Sequence, residues 1–526
     1  MKYYNGSMIY NRSGVVGRLF LVASAVVLVS IAVLLFFPQS NRNYHLFLVG
    51  VSKGRIKPLT AKFPPYKGSR MGGAAFLKSC MATQIASLSG DPYSLLSIGS
   101  EISGTADSYF SRGGTSIDAL NRLKIDGMLV GNIEFTFGCA RLEELSGVAS
   151  FPFISSNITE MGSGDPPPFL KKDLILNPGG GLKIGVLGLT PPQTPVLTSS
   201  MNVAGLRFLP PGKELAERVT SLRDRGVDLV VVLSLYDDER MTDEEWAQIV
   251  AARPDVLVMV DFEVDAPAPF EKDGIIIKTV SGYNQSKEID VLDLELPPYA
   301  GKVVSMRGRR LPVFCDEITP DPSIEEFIKN RAGNIDKLKS ERVGEFDADY
   351  ERCYDRECPI GNLVADSMRD LFKSDIAFMN SGGIQSDLKS GIFTLGDLFS
   401  VLPFDNQVVT MNLSGQDILE VLSTSASLKR GLLQVSGCRY KFANREADDF
   451  ELKEVLVGSA PLDVSSIYKV TTNSFLAEGG DGFLAFKRGK EIQYGPLQRE
   501  SVRSYLAVLC ASGATHLATE GRIIRE

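Results

Sequence analysis

Asn380-Ser-Gly-Gly-Ile384, Gly391-Ile-Phe-Thr-Leu-Gly-Asp397, Leu402-Pro-Phe-Asp-Asn406, Leu413-Ser-Gly-Gln-Asp-Ile-Leu419, Leu433-Gln-Val-Ser-Gly437 and Tyr468-Lys-Val-Thr-Thr-Asn-Ser-Phe-Leu-Ala-Glu-Gly-Gly-Asp-Gly-Phe483 follow one another in the second half of the chain. Cys353-Tyr-Asp-Arg-Glu-Cys-Pro-Ile-Gly-Asn-Leu363 stands just upstream. The pair Gly382 and Gly383 lets backbone approach a ligand closely and offer N–H donors to it. Phe404 and Phe475 adjoin turn-forming residues, so their rings can stand at the rim of a pocket. Taken alone, each phenylalanine reads as core and each glycine as a turn. The ordered set is far more specific than any one member.

Together these motifs resemble the C-terminal substrate-binding domain of the 5′-nucleotidase family, over essentially the whole span from about residue 342 to 520. The resemblance implies that Asn380, Gly382, Gly383, Phe404, Phe475 and Asp481 contact a nucleoside or nucleotide. Two rings that stack a base contribute about 1–3 kcal/mol per base. A carboxylate such as Asp481 accepts hydrogen bonds from ribose hydroxyls. Two positions depart from the family: Tyr354 and Gln385 stand where members can carry arginines that grip phosphate or ribose. Losing guanidinium donors removes the strongest phosphate recognition a side chain offers. Arg356 is close by in sequence but out of place in the motif, so the pocket is expected to favour a nucleoside or a ligand of fewer charges.

Upstream, short apolar and β-branched runs alternate with helical stretches from about residue 45 to 300. Residues 127–131, 182–189, 227–233 and 255–260 read as buried strands, and 116–123 and 211–225 as helices, which is an α/β layered pattern. Residues 293–312 collect prolines and basic side chains and read as a domain exit. An amphipathic linker helix follows within residues 320–341. By the same resemblance, residues 44–305 correspond to the family's calcineurin-like metallophosphatase domain, a four-layer α/β/β/α unit, and residues 342–526 to its mixed α/β C-terminal domain.

That phosphatase chemistry needs two divalent cations to clamp the ester and to generate hydroxide. At the positions where the family carries its Asp, His and Asn ligands, this chain reads Val51-Ser-Lys53, Gly99-Ser100, Asn132-Ile-Glu134, Leu235 and Asp261-Phe-Glu263. Asn132 survives as a ligand type, and Asp261 with Glu263 could offer oxygen to a hard cation. The simpler reading of those two carboxylates is a solvated acidic loop. The chain's two histidines, His45 and His516, lie outside all of these motifs. A degenerate metal site is therefore expected, with no cofactor and no catalytic residue. A Zn, Mn or Mg pair enters only if the chain is an active enzyme.

Residues 19–37 form an uncharged apolar run preceded by Lys2, Arg12 and Arg18. At helical rise such a run spans a bilayer, and the flanking cations put residues 1–18 in the cytosol. The expectation is a single-pass anchor with the bulk of the chain extracytoplasmic. Of seven cysteines, Cys353 and Cys358 are spaced to close a short loop, and in that compartment a local disulfide is the better reading. The net charge of -8 argues against a nucleic-acid partner.

The expected function is a membrane-anchored pseudoenzyme of the 5′-nucleotidase family that binds a nucleoside or nucleotide through its C-terminal domain. One alternative is an active metal-dependent 5′-nucleotidase, a phosphoric ester hydrolase of nucleotide catabolism. The other is a scaffold or protein-interaction module.

Overall fold

The computed structural model describes residues 40–526, apart from 62–64, 236–240, 262–267, 299–300, 428–430, 447–448 and 514. The anchor expected at residues 19–37 lies outside the described residues, as does Glu263. Among the described residues no helix is long and apolar enough to cross a membrane.

The first half begins with β1 (Arg42–Val49), β2 (Tyr93–Ser97), β3 (Gly127–Leu129) and β4 (Phe153–Ile154). A second group follows: β5 (Leu174–Gly179), β6 (Leu182–Leu189), β7 (Leu229–Ser234), β8 (Val256–Asp261), β9 (Phe270–Lys272) and β10 (Ile275–Ser281). β11 (Glu288–Leu296) and β12 (Ser305–Pro312) return to the first sheet, whose order is β12-β11-β1-β2-β3-β4. The second sheet runs β9-β10-β8-β7-β6-β5.

Period-two alternation explains how the sheets pack. In β1, Leu46 and Leu48 join Leu96, Leu129, Val186, Val231 and Val258 in an apolar layer between the two sheets. Phe47 and Val49 point the other way, to helices α1 (Ala74–Ser87), α2 (Gly114–Leu123) and α3 (Cys139–Val148). On the outer face of the second sheet, Val230, Val232 and Leu257 pack against α4 (Gly212–Asp224) and α5 (Asp243–Ala252). Fully burying each such side chain contributes about 1.5–3 kcal/mol, so strands apolar on both faces are what a sheet covered on both sides requires.

One boundary differs from the sequence reading. Residues 293–312 are not an exit but the end of β11 and all of β12, paired from Glu288↔Pro312 to Glu295↔Ser305. Two of their arginines are paired inside the sheet: Arg309 is bidentate to Asp293 at 2.7 and 3.0 Å, and Arg310 Nε reaches Asp290 at 3.2 Å. The helix after it, α6 (Pro322–Lys339), is capped by Asp321, whose carboxylate accepts the Ser323 and Ile324 N–H groups.

The second half carries β13 (Ile376–Asn380), β14 (Gln407–Ser414), β15 (Leu433–Ser436), β16 (Ile467–Asn473) and β17 (Lys490–Leu497) in the order β15-β13-β16-β14-β17. α7 (Pro359–Phe372), α8 (Gly415–Ala426) and α9 (Gln498–Leu509) flank it.

Candidate functional site

In the second half, three strand ends meet at one edge of the sheet. β13 and β16 run parallel, so Asn380 and Asn473 leave their strands side by side. β14 runs antiparallel to β16, with Val408 opposite Asn473, which sets the segment before β14 beside the segment after β16. Phe404 and Phe475 sit in those two segments, bridged where Gln407 N–H donates to Ser474 Oγ at 3.1 Å. The two residues are 49% and 41% exposed, which separates them from the core phenylalanines. The Phe475 ring lies over the backbone of Gly480, where a Cβ would come within 2.6 Å of it.

A polar chain runs beneath the rings. Asn473 Nδ2 donates to Asn380 Oδ1 at 2.9 Å, and Asn380 Nδ2 donates to Asp481 Oδ2 at 3.4 Å. Asn473 Oδ1 accepts the Leu476 N–H at 3.0 Å, capping the short helix that carries Phe475. Asp481 holds a left-handed backbone, φ 56°, inside the Gly-rich turn. A Cβ on Gly383 would come within 2.5 Å of Met379 Cε, whereas one on Gly382 would meet only Asn380 Nδ2, at 3.9 Å. Gly382 is therefore the open face of the turn. All six residues singled out in the sequence fall along this one edge. Asn473, which ties Asn380 to the Phe475 helix, was not singled out; its signal was the Asn immediately before Ser474-Phe475, a helix N-cap residue type.

The two departures from the family pattern are also placed. Gln385 Nε2 donates to Gly382 O at 2.6 Å, so its amide is engaged within the turn. Tyr354 is exposed beside Arg352, whose guanidinium stands 5.7 Å from the ring and donates to Gln385 O at 2.9 Å. Arg356 turns to its neighbour Asp355, 3.5 Å away.

Cys353 and Cys358 are free thiols, which corrects the expected disulfide. Cys358 is the N-cap of α7, its Sγ accepting the Gly361 N–H at 3.3 Å, while the Cys353 thiol turns to the Glu351 carbonyl at 3.8 Å. Burial pushes the Cys358 thiol up to about 11.

In the first half, the ends of β1, β2, β3, β7 and β8 gather at one side, and the motif residues lie there. Ser52 and Lys53 follow β1; Gly99 and Ser100 follow β2; Asn132 and Glu134 follow β3; Leu235 follows β7; Asp261 ends β8. Leu235 covers the floor: its Cδ1 stands 2.1 Å from a Cβ built on Gly131 and 3.1 Å from one built on Gly99. Below it, both oxygens of the buried Glu134 accept backbone N–H groups, from Glu101 at 2.7 Å and Gly131 at 2.9 Å. Burial, opposed by those bonds, lifts Glu134 to about 7. The Glu101 carboxylate is likewise engaged, by Ser52 Oγ and by Ser97 Oγ at 2.6 Å. Among the described residues no three His, Cys, Asp or Glu side chains are grouped so as to hold a metal ion.

The two halves meet through Arg499, which has no exposed side-chain surface. It donates to the carbonyls of Leu402 and Phe404 at 2.8 Å each, pairs with Asp405, and stacks 4.6 Å from the Tyr109 ring and 4.5 Å from the Phe399 ring. Ser103 Oγ donates to Asp405 at 3.0 Å, and Tyr109 Oη to Glu500 at 2.5 Å. None of these residues stood out in the sequence as a unit, because the cluster draws on positions up to 391 residues apart.

Comparison with known proteins fits this architecture. Residues 332–488 match the family model for the 5′-nucleotidase C-terminal domain. The chain is 25% identical over 383 residues to an endonuclease, YhcR, of Bacillus subtilis, and 25% identical over 469 residues to the cell wall protein Lmo0130 of Listeria monocytogenes. Those alignments cover 69% and 77% of this chain but only 31% and 59% of the two relatives. Among solved structures, a 5′-nucleotidase precursor from Thermus thermophilus superposes with a TM-score of 0.56 at 25% identity, covering 92% of this chain and 99% of that one. The fold thus defines a two-domain α/β protein whose first half is metallophosphatase-like. Residues 332–488 are a 5′-nucleotidase C-terminal domain, and the chain as a whole is similar to 5′-nucleotidases in sequence and fold.

Proposed function

We propose that this chain is an externally displayed, membrane-anchored member of the family that binds a nucleoside or nucleotide at residues 342–526 and does not hydrolyse phosphate esters. In this reading residues 44–305 serve as a degenerate metallophosphatase-like domain and the helix within 320–341 links the two. The observation that carries it is the floor of the first cleft. Leu235 lies over Gly99 and Gly131, and the nearest carboxylates, Glu101 and Glu134, already accept hydrogen bonds on every oxygen. Among the described residues such a donor set does not fit paired divalent cations: beside Asp261 at the end of β8 it offers an aliphatic cap, two saturated carboxylates and the Lys53 ammonium, whose charge repels them. Asn132 remains an amide donor there without a ligand partner of its kind.

Nucleoside binding is favoured by the two exposed rings, Phe404 and Phe475, at the same sheet edge as Asn380 and Asp481. The Listeria relative is a cell wall protein, which agrees with an extracytoplasmic location. Family membership favours a second reading, an active metal-dependent 5′-nucleotidase. Calorimetric titration of the full-length chain with the four common nucleosides tests the binding claim. At least one is expected to bind, and Phe404→Ala and Phe475→Ala are each expected to weaken it; no nucleoside binding to the wild type would leave the scaffold reading in its place.

A further inference from the structure

The loop that carries Phe404 is held from within the molecule. Its alternate carbonyls, at Leu402, Phe404 and Asn406, all turn toward the start of α9. Arg499 Nη1 donates to the first two at 2.8 Å each, and the Gln498 N–H donates to the third at 2.8 Å. Arg499 pairs with Asp405 as well, so a single guanidinium engages three of the five residues from Leu402 to Asn406. A planar fork of donors fixes the orientation of its partners as well as their distance. Among the described residues the Phe404 ring stacks on no other ring, and the residue is half exposed, so the ring stands where the loop backbone puts it.

The first half takes part in the same contact. Ser103, buried in the segment after β2, donates to the second oxygen of Asp405 at 3.0 Å, and the Tyr109 ring lies 4.6 Å from the Arg499 guanidinium. Beside this contact the halves are not packed solid. A cleft of about 160 Å³ parts Lys53, Asn132 and Thr198 of the first half from Asp405, Gln407 and Leu497 of the second. That is several times the share of liquid volume of one water, roughly 30 Å³. Asp405 is therefore a strut across a gap, not one residue in a continuous core. Arg499 Nε is buried and donates to nothing among the described residues. A buried donor left unmade costs free energy, so the guanidinium sits in a compromise among its partners, and losing one of them frees it to turn.

We infer that Arg499 is a positioning residue for Phe404, and that the Ser103–Asp405 and Tyr109–Arg499 contacts make the placement of the ring answer to how the two halves are apposed. The inference rests on the proposed nucleoside reading for what the ring binds, and on Arg499 and its partners alone for where the ring stands. It gives the first half a task that needs no metal, which is to bear on a loop of the second half through a buried charge pair. Halves that part release Asp405 from Ser103 and Arg499 from Tyr109 together, and the loop slackens. Such coupling is reciprocal, so a nucleoside held against the ring stabilises the apposition in turn.

The test uses the full-length chain with an indole as reporter. The chain has one tryptophan, Trp246, so Phe404→Trp in a Trp246→Phe background puts the fluorophore at the ring position alone. Acrylamide quenching and anisotropy of that indole are measured with and without Ser103→Ala or Arg499→Lys. Calorimetry with the four common nucleosides runs in parallel on chains that keep Phe404, and melting temperature checks each fold. Ser103→Ala is expected to weaken nucleoside binding about threefold and Arg499→Lys about tenfold, within the range of residues that act on a site without touching its ligand. Both are expected to leave the indole more mobile and more easily quenched. An unchanged indole in both variants, or weaker binding that follows melting temperature alone, would overturn the inference. A response to Arg499→Lys without one to Ser103→Ala would remove the first half from it; should Arg499→Lys not fold, Ser103→Ala decides alone. A freer indole in both variants, with no nucleoside bound by the wild type, would keep the positioning role and remove the nucleoside reading.

Discussion

The two halves of the molecule end their strands in the same manner and fill the space beyond them in opposite ways. In the second half, side chains at the strand ends stand open: Phe404 and Phe475 are 49% and 41% exposed, and Gly382 leaves its face free. In the first half, Leu235 covers the buried Glu134 and Glu101, while Lys53 and Asn132 line the cleft toward the second half. One edge leaves aromatic and polar side chains open to solvent, while the other holds buried carboxylates under an aliphatic cap. Buried polar groups persist only when they are satisfied, and here they are satisfied by one another and by backbone, not directed toward a ligand.

The contrast can be broken most severely at the buried polar core. Glu134 has a folded-state pKa near 7 against an ordinary 4.5. The native state therefore holds the proton more tightly than the unfolded chain, and stability falls as pH rises from about 4.5 to about 7 and is flat above. The full span is on the order of 3 kcal/mol. Glu134→Gln is expected to flatten that limb of a denaturation-versus-pH series; an unchanged slope would show that Glu134 does not titrate within the fold.

Arg499 joins the two regions, so its removal tests whether they form one unit. Arg499→Met strands Asp405 and empties the space between Tyr109 and Phe399, with an expected loss of about 3 kcal/mol in urea unfolding. A loss under 1 kcal/mol, within the range of a surface ion pair, would mean that the interface is solvated and the halves are independent.

On the open side, Phe475→Ala is expected to cost about 1–3 kcal/mol of nucleoside affinity with little change in melting temperature, since the ring is exposed. A large stability loss with intact binding would mark it as structural. Smallest of all, Asp481→Asn keeps the acceptor oxygen toward Asn380 but removes the charge. The expected loss of ribose affinity is about 0.5–1.5 kcal/mol, read by the same titration against the matching base without its sugar.

Much of this contrast was legible in the chain. The strand at 182–189 and the helices near 116–123, 211–225 and 320–341 follow from periodicity and capping, which are local signals. The open edge was legible because glycine pairs, turn-flanked aromatics and the Gly-Gly-Asp-Gly run are short motifs whose order carries the family. Residues 293–312 were misread because prolines and arginines punctuate loops in general, and only the long-range pairing to Asp290 and Asp293 shows that those cations belong to a strand. The disulfide expectation failed for a related reason: spacing closes a loop, but helix capping turned Cys358 toward Gly361. The departures from the family's motifs at 51–53, 99–100, 133 and 235 were plain in sequence, yet the packing around them was not. That Leu235 caps two glycines, that Glu134 and Glu101 satisfy one another's surroundings, and that Arg499 balances Asp405 are facts of side-chain packing across distant segments.

The most direct test measures bound metal and phosphate-ester turnover together on one preparation, after incubation with Mg²⁺, Mn²⁺, Zn²⁺ or Ca²⁺ and with nucleoside 5′-monophosphates as substrate. The account expects substoichiometric metal and no turnover above the buffer rate. Two equivalents of metal with turnover abolished by EDTA would contradict it and make hydrolysis the function of the first half.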